Sequence, residues 1–224
     1  MTANLTRRIA SEFLGTALLL AAVVGSGIMA EKLSGGNIGL ALLANSLATG
    51  AALFVLITIF GPISGAHFNP AVTLVMCLKK LISTSDASLY VVVQIAGGIV
   101  GVLITHVMFD LNVFQTSATA RSGIGQWTAE AVAAFGLVLT ILGTVRFAAD
   151  KVAMAVALYI VSAYWFTAST SFANPAVTIA RSFTNTFSGI APTDVLAFIL
   201  AQFAGAFLGL IAGCWLFENG SAKA

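Results

Sequence analysis

Charge is what this sequence has least of. Asp, Glu, Lys and Arg make up 8% of its 224 residues against 59% hydrophobic, and the mean hydropathy of +1.01 excludes an ordinary water-soluble domain. The formal net charge is only +2, from scattered basic residues, so no nucleic-acid partner is indicated. Cysteine is equally scarce. Cys77 and Cys214 lack CxxC spacing and a neighbouring histidine, and read as small buried hydrophobes, not metal ligands or a disulfide pair. The sequence offers no metal-ligand cluster, no glycine-rich phosphate cradle and no nucleophile paired with a base. It therefore points to no enzyme, cofactor or metal.

What the chain has in abundance is long apolar runs. Six are long enough to cross a bilayer: about Ile9 to Met29, Ile38 to Phe60, Ala87 to Phe109, Thr128 to Val145, Val152 to Ala168 and Val195 to Phe217. The first run exceeds a signal-peptide core and carries Glu12, which favours a retained span over a cleaved leader. With the N-terminus inside, Arg7, Arg8, Lys79, Lys80, Arg146, Lys151 and Lys223 lie on the cytoplasmic side, and Lys32, Arg121 and Arg181 outside. Seven against three favours cytoplasmic N- and C-termini.

One pentapeptide occurs twice, at Asn69-Pro70-Ala71-Val72-Thr73 and Asn174-Pro175-Ala176-Val177-Thr178. Asn is a good helix N-cap, and Pro suits the first helical position, so each copy starts a helix. Basic residues soon follow: Lys79 and Lys80 in one copy, Arg181 in the other. A helix of about 10 residues rises roughly 15 Å, half the roughly 30 Å hydrocarbon core. The repeat extends further. Glu12 and Glu130 open spans one and four, and Gln94-x-x-Gly97-x-x-x-Gly101 matches Gln202-x-x-Gly205-x-x-x-Gly209. The glycine spacing is a helix-packing signal. Three spans per half put the second half in the membrane upside down, an inverted repeat that brings the two half-helices to the midplane from opposite faces. The expected fold is an all-α membrane protein: one domain over 1–224, six transmembrane helices and two re-entrant half-helices, with repeats of about 1–112 and 123–224. Asp110 to Gly125 reads as an exposed linker between them.

Half-helices meeting N-terminus to N-terminus aim their positive dipole ends at one spot, where Asn69 and Asn174 offer amide donors. The approaches, residues 61–68 and 167–173, place irregular backbone at membrane depth, which is tolerated only within protein or beside a water-filled cavity. A polar pore follows. Ser64-Gly65-Ala66-His67-Phe68 before the first repeat, Glu12-Phe13-x-Gly15-Thr16 and both Asn-Pro-Ala motifs resemble the aquaporins of the major intrinsic protein family. The resemblance covers essentially the whole chain. It implies a right-handed six-helix bundle in the lipid bilayer, one pore per subunit, a homotetramer and passive flow of small uncharged solutes. It also implies the cell (inner) membrane.

In that family an Arg usually follows the second Asn-Pro-Ala and lines the outer constriction; here the residue is Val177. Family spacing puts the other constriction positions at Thr49, Ser162 and Ser171, none aromatic or basic. A wide, weakly polar constriction is therefore expected. It would admit glycerol-like solutes, urea and undissociated metalloid species such as arsenite or organoarsenicals, as well as water. Arsenic is named because Val in place of Arg resembles bacterial members associated with arsenic handling. The alternatives are a strict water channel, an ion-coupled secondary transporter and a non-conducting assembly protein. Arg181 reads either as a displaced arginine guarding the mouth or as an interfacial arginine snorkelling to water or phosphate. The second is favoured, since one turn of about 5 Å takes the charge out of the narrowest ring. Glu12 and Glu130 read as anchors for re-entrant backbone, with proton coupling the less favoured role. His67 reads as a pore-lining or gating group or, by preference, a structural hydrogen-bonding one. His106 is expected at a helix end near the interface.

Overall fold

The computed structural model describes residues 3–218; Lys223, used in the orientation argument, lies outside them. Polar caps start several helices. Asn4 accepts from the N–H of Arg7 to open α1 (Leu5–Leu33), Asn37 from Leu40 to open α2 (Ile38–Ser64), and Ser83 from Asp86 to open α4 (Thr84–Met108). The other long helices are α5 (Ile124–Phe147), α6 (Val152–Phe166) and α8 (Pro192–Glu218). Between them sit α3 (Pro70–Leu78) and α7 (Pro175–Arg181), of nine and seven residues. At 1.5 Å per residue these rise only about 13 and 10 Å. Six segments are long and apolar enough to cross a membrane, and the short pair are not.

Polarity runs opposite to that of a soluble protein. Leu14, Leu18, Phe54, Val55, Leu158 and Leu208 are exposed, whereas Glu12, Gln94, Glu130 and Gln202 are fully buried. Apolar groups facing outward suit lipid, and the buried polar groups require internal partners. Helix α1 packs on α2 and α4, and α5 correspondingly on α6 and α8; α2 meets α6, α7 lies on α4, and α3 touches α8. A Cβ on Gly97 or Gly101 would strike the carbonyls of Phe13 and Ala17, and one on Gly205 or Gly209 those of Ala131 and Phe135. Backbone contact between helices is how packing proceeds where lipid supplies no hydrophobic drive.

One expectation needs correction. Residues 61–64 are helical, not irregular: α2 continues through Pro62 and ends only at Gly65, a left-handed cap with φ 88°. Pro62 lies in the last turn of α2, where its missing N–H leaves the Thr58 carbonyl without the usual helical donor. The linker is largely exposed, as expected, and its backbone is tied to the second half. The N–H of Ser117 donates to the Ser182 carbonyl (3.0 Å), that of Ala191 to the Thr119 carbonyl (2.7 Å), and that of Arg121 to the Asp194 carboxylate (2.7 Å). His106 lies in the last turn of α4, as expected, and is fully buried there. Its Nδ1 lies 2.7 Å from the Val113 carbonyl and its Nε2 2.8 Å from the Thr184 hydroxyl. A carbonyl only accepts, so Nδ1 donates and Nε2 accepts. This bond pins the linker to α4. Cys77 and Cys214 are half-buried and not joined to each other.

Candidate functional site

Each Asn-Pro start is built from its own side chain. The Asn69 Oδ1 accepts from the N–H of Ala71 (2.8 Å), and the Asn174 Oδ1 from those of Ala176 (3.0 Å) and Val177 (3.3 Å). With Oδ1 committed to the helix, the amide NH2 points the other way. Asn69 Nδ2 donates to the Ala173 carbonyl and Asn174 Nδ2 to the Phe68 carbonyl, both at 2.8 Å. Each half thus closes the other's loop. An amide nitrogen has two hydrogens, and the second at each Asn is left for the cavity that both residues line.

The two loops follow one backbone pattern. Gly65, Ala66 and Phe68 have φ of 88°, 48° and 49°; Thr170, Ser171 and Ala173, each 105 positions later, have 61°, 51° and 48°. Left-handed backbone at non-glycine residues is strained and persists only where surroundings over-determine it. Two carboxylates do this. Glu12 accepts from the N–H groups of His67 (3.0 Å) and Phe68 (2.7 Å), the Ser64 hydroxyl (2.6 Å) and Gln94 Nε2 (2.8 Å). Glu130 accepts from the N–H groups of Phe172 and Ala173, both at 2.8 Å, and from Gln202 Nε2 at 2.5 Å. The glutamines also reach the half-helices, Gln94 at Thr73 (3.0 Å) and Gln202 at Thr178 (2.8 Å). Charge-assisted bonds of this kind are the strong ones. With these bonds the glutamates hold backbone.

A cavity of about 620 Å³ runs past both asparagines. Its lining on the N-terminal side includes Arg8, Lys79 and Arg146, and in the middle Leu19, Leu53 and Ile160. Arg8 pairs with Asp86 at 2.9 Å. His67 lines the cavity with Nδ1 3.1 Å from the Thr73 hydroxyl. At the other end stand Thr49, Tyr164, Ser171, Val177 and Arg181. Thr49 Oγ1 and the Tyr164 hydroxyl are 3.3 Å apart. The Ser171 hydroxyl is buried with no partner among the described residues, which leaves it free for a solute or water.

Three of the four expected constriction residues, Thr49, Ser171 and Val177, line this cavity, and Ser162 is not among its lining residues. It is exposed on α6, where its hydroxyl donates to the Tyr159 carbonyl at 2.7 Å. Two residues further on, Tyr164 is 4% exposed and faces inward. Positions two apart on a helix differ by about 200° in direction, so a spacing rule off by two selects the opposite face. Arg181 is corrected as well. It is 3% exposed and lines the cavity, so it does not snorkel to an interface. Its Nε donates to the Ser188 carbonyl, and its guanidinium lies 3.4 Å from the Phe172 ring centroid. The sequence places Arg121 on the outer side, but no local signal marks its contacts. It sits 5.0 Å from the same ring centroid and donates to the carbonyls of Gly189 (2.8 Å) and Ser169 (3.3 Å). Burial lowers its pKa from the ordinary arginine value, against the opposing pull of Glu130.

Comparison with known proteins fits this geometry. Residues 1–150 match the family described as major intrinsic protein. The chain belongs to that family. Among relatives, aquaglyceroporin AqpS of Rhizobium meliloti (strain 1021) is 56% identical over 215 residues, covering 96% of this chain and 92% of that protein. A probable aquaporin TIP1-2 of Oryza sativa subsp. japonica is 37% identical over 142 residues, 60% of this chain and 55% of that protein. The crystal structure of the aquaglyceroporin from Plasmodium falciparum superposes with a TM-score of 0.73 over 98% of both chains, at 21% identity. This major intrinsic protein is a multi-pass membrane channel, not an enzyme.

The position of Tyr164 gives a direct test. Tyr164→Ala is expected to raise permeability to solutes larger than water by roughly tenfold, the scale of a lost pocket contact, with Ser162→Ala changing it by less than about twofold. Stopped-flow light scattering on proteoliposomes reads both. A larger effect at Ser162 would return the constriction to the spacing-derived position.

Proposed function

We propose that this channel passes water and glycerol-type solutes down their gradients through one pore per subunit, with Thr49, Tyr164, Ser171 and Val177 forming the constriction. The observation that carries the reading is the lining of the cavity: the Thr49 and Tyr164 hydroxyls 3.3 Å apart, an unpartnered Ser171 hydroxyl, and apolar Val177 on α7. A solute with hydroxyls on one edge can exchange its hydration there while an apolar edge rests on Val177. Glycerol has that character, and an undissociated metalloid hydroxide such as arsenite presents hydroxyls on a compact frame. Asn69 and Asn174 offer the next donors at the midplane. There the ends of α3 and α7 aim partial positive charge at the solute and repel protons and cations. Coupled transport would need a midplane ionisable group, but Glu12 and Glu130 are committed to loop backbone.

The proposed setting is the cell (inner) membrane, with both termini cytoplasmic, a homotetramer, and a single domain made of repeats 1–112 and 123–224. The test is a permeability panel of water, glycerol, urea and arsenite on the native channel and Val177→Arg. A guanidinium at Val177 is expected to lower the three larger solutes by roughly tenfold or more and water much less. An equal fall for all four, or none, would reject the wide constriction. Native water flux without glycerol flux would make the protein a strict water channel.

A further inference from the structure

The proposed constriction lacks charge at Val177, yet two guanidinium groups lie close by, that of Arg181 buried and that of Arg121 half-buried. Arg181 is one helical turn further along α7, and neither it nor Arg121 has a carboxylate at ion-pair distance among the described residues. Glu130, though not at ion-pair distance, offsets these charges in part, and a buried charge without an ion pair is costly. In membrane proteins such a charge marks a functional element by default. These two are also mechanically linked. Arg181 rests on the Phe172 ring and on the Ser188 carbonyl. Arg121 engages the same ring and the next carbonyl, that of Gly189. Its own backbone is fixed to Asp194, and the Phe172 N–H is fixed by Glu130. Every support of Arg181 is therefore gripped from the linker or from α5. The like charge of Arg121 lies on the same ring, within the Debye length of about 8 Å.

We propose that Arg181 supplies the cation barrier of the outer pore, displaced one turn from Val177, and that Arg121 is a positioning residue holding it there through Phe172 and the Ser188–Gly189 carbonyls. This rests on the reading of the protein as a channel for neutral solutes. A full charge in a narrow, low-dielectric passage repels a cation more strongly than the roughly half charge at a helix end. The outer barrier is thus the higher of two in series. Separating the barrier from Val177 leaves the constriction open to bulky neutral solutes while ions are still refused.

Urea and guanidinium are planar and similar in size, and differ in charge, so their permeability ratio isolates the barrier. In proteoliposomes the native channel is expected to pass urea at least about 100-fold faster than guanidinium. Arg181→Gln should raise the guanidinium-to-urea ratio roughly tenfold or more, and Arg181→Lys should restore exclusion. Arg121→Gln should raise it about threefold alone and add nothing in the Arg181→Gln background, with rescue by Arg121→Lys. Comparable guanidinium and urea flux in the native protein overturns the proposal without any variant. So does an unchanged ratio in Arg181→Gln. Additive effects of the two substitutions overturn the positioning role of Arg121. Absence of flux for water, glycerol and urea alike would instead overturn the channel reading itself.

Discussion

Glu12→Ala is expected to abolish most conduction, lowering water and glycerol permeability per folded channel by roughly tenfold or more. The substitution removes the acceptor for two backbone N–H groups, the Ser64 hydroxyl and Gln94. Each orphaned buried group costs about 1–3 kcal/mol, and at membrane depth no bulk water replaces the carboxylate. Strain adds to this, since Ala66 and Phe68 hold φ of 48° and 49° that a released loop would relax. Phe68 matters most for function: its carbonyl receives the Asn174 amide, so relaxation at one loop disorders the donor of the other. Glu12→Gln keeps one acceptor oxygen but turns an NH2 toward N–H donors, and should fall between the two. The measurement is stopped-flow permeability normalised to folded protein, together with thermal unfolding. Native flux in Glu12→Ala would refute the anchoring role. Passive flux retained with gradient-driven uptake lost would restore proton coupling.

Gly101→Leu should have a comparably large effect by another route, preventing the bundle from assembling. A Cβ at Gly101 would already overlap the Ala17 carbonyl, and α1 and α4 are in backbone contact again at Gly97 and Phe13. Overpacking by even a methylene or two costs about 1–3 kcal/mol, and here the obstacle is backbone, which cannot rotate away. The helices must separate. That separation reaches the site, because Gln94 lies one turn from Gly97 on α4 and must touch both Glu12 on α1 and Thr73 on α3. Gly101→Ala should lower the unfolding temperature, and Gly101→Leu should leave no monodisperse protein on size-exclusion chromatography. Gly125→Leu is the control, since nothing lies within 4 Å of a Cβ there. If Gly101→Leu purified and conducted like the native protein, the close approach would be irrelevant to assembly.

Much of this architecture was legible because membrane burial leaves coarse signals. Six apolar runs and two Asn-Pro starts located all the long helices and both short ones to within a few residues. The glutamate and glutamine pairs were visible as repeats, though not the bonds that unite them. What escaped was direction around a helix axis and contact across the chain. Ser162 and Tyr164 differ by two positions, and only packing of α6 against α2 decides which faces inward. The Gly61-Pro62 pair reads as the start of irregular backbone, yet α2 runs on to Ser64. Arg121 and Arg181 carry charge in a hydrophobic chain, which points to an interface. Their contacts with Phe172 and with carbonyls between 169 and 189 are supplied by folding over distances that no local pattern records.

The reciprocal amide bonds between the loops also bear on how the protein is made. Asn69 and Ala173 are 104 residues apart, and Asn174 and Phe68 are 106. At a synthesis rate of roughly 5–20 residues per second, the first loop waits on the order of ten seconds before its partner emerges from the ribosome. During that interval the Phe68 carbonyl and the Asn69 amide have no mate, at a depth where lipid offers none. The nascent first half must therefore stay sheltered or only partly inserted. Completion of the pore, not insertion of any single span, is then the step that commits the chain to its final form.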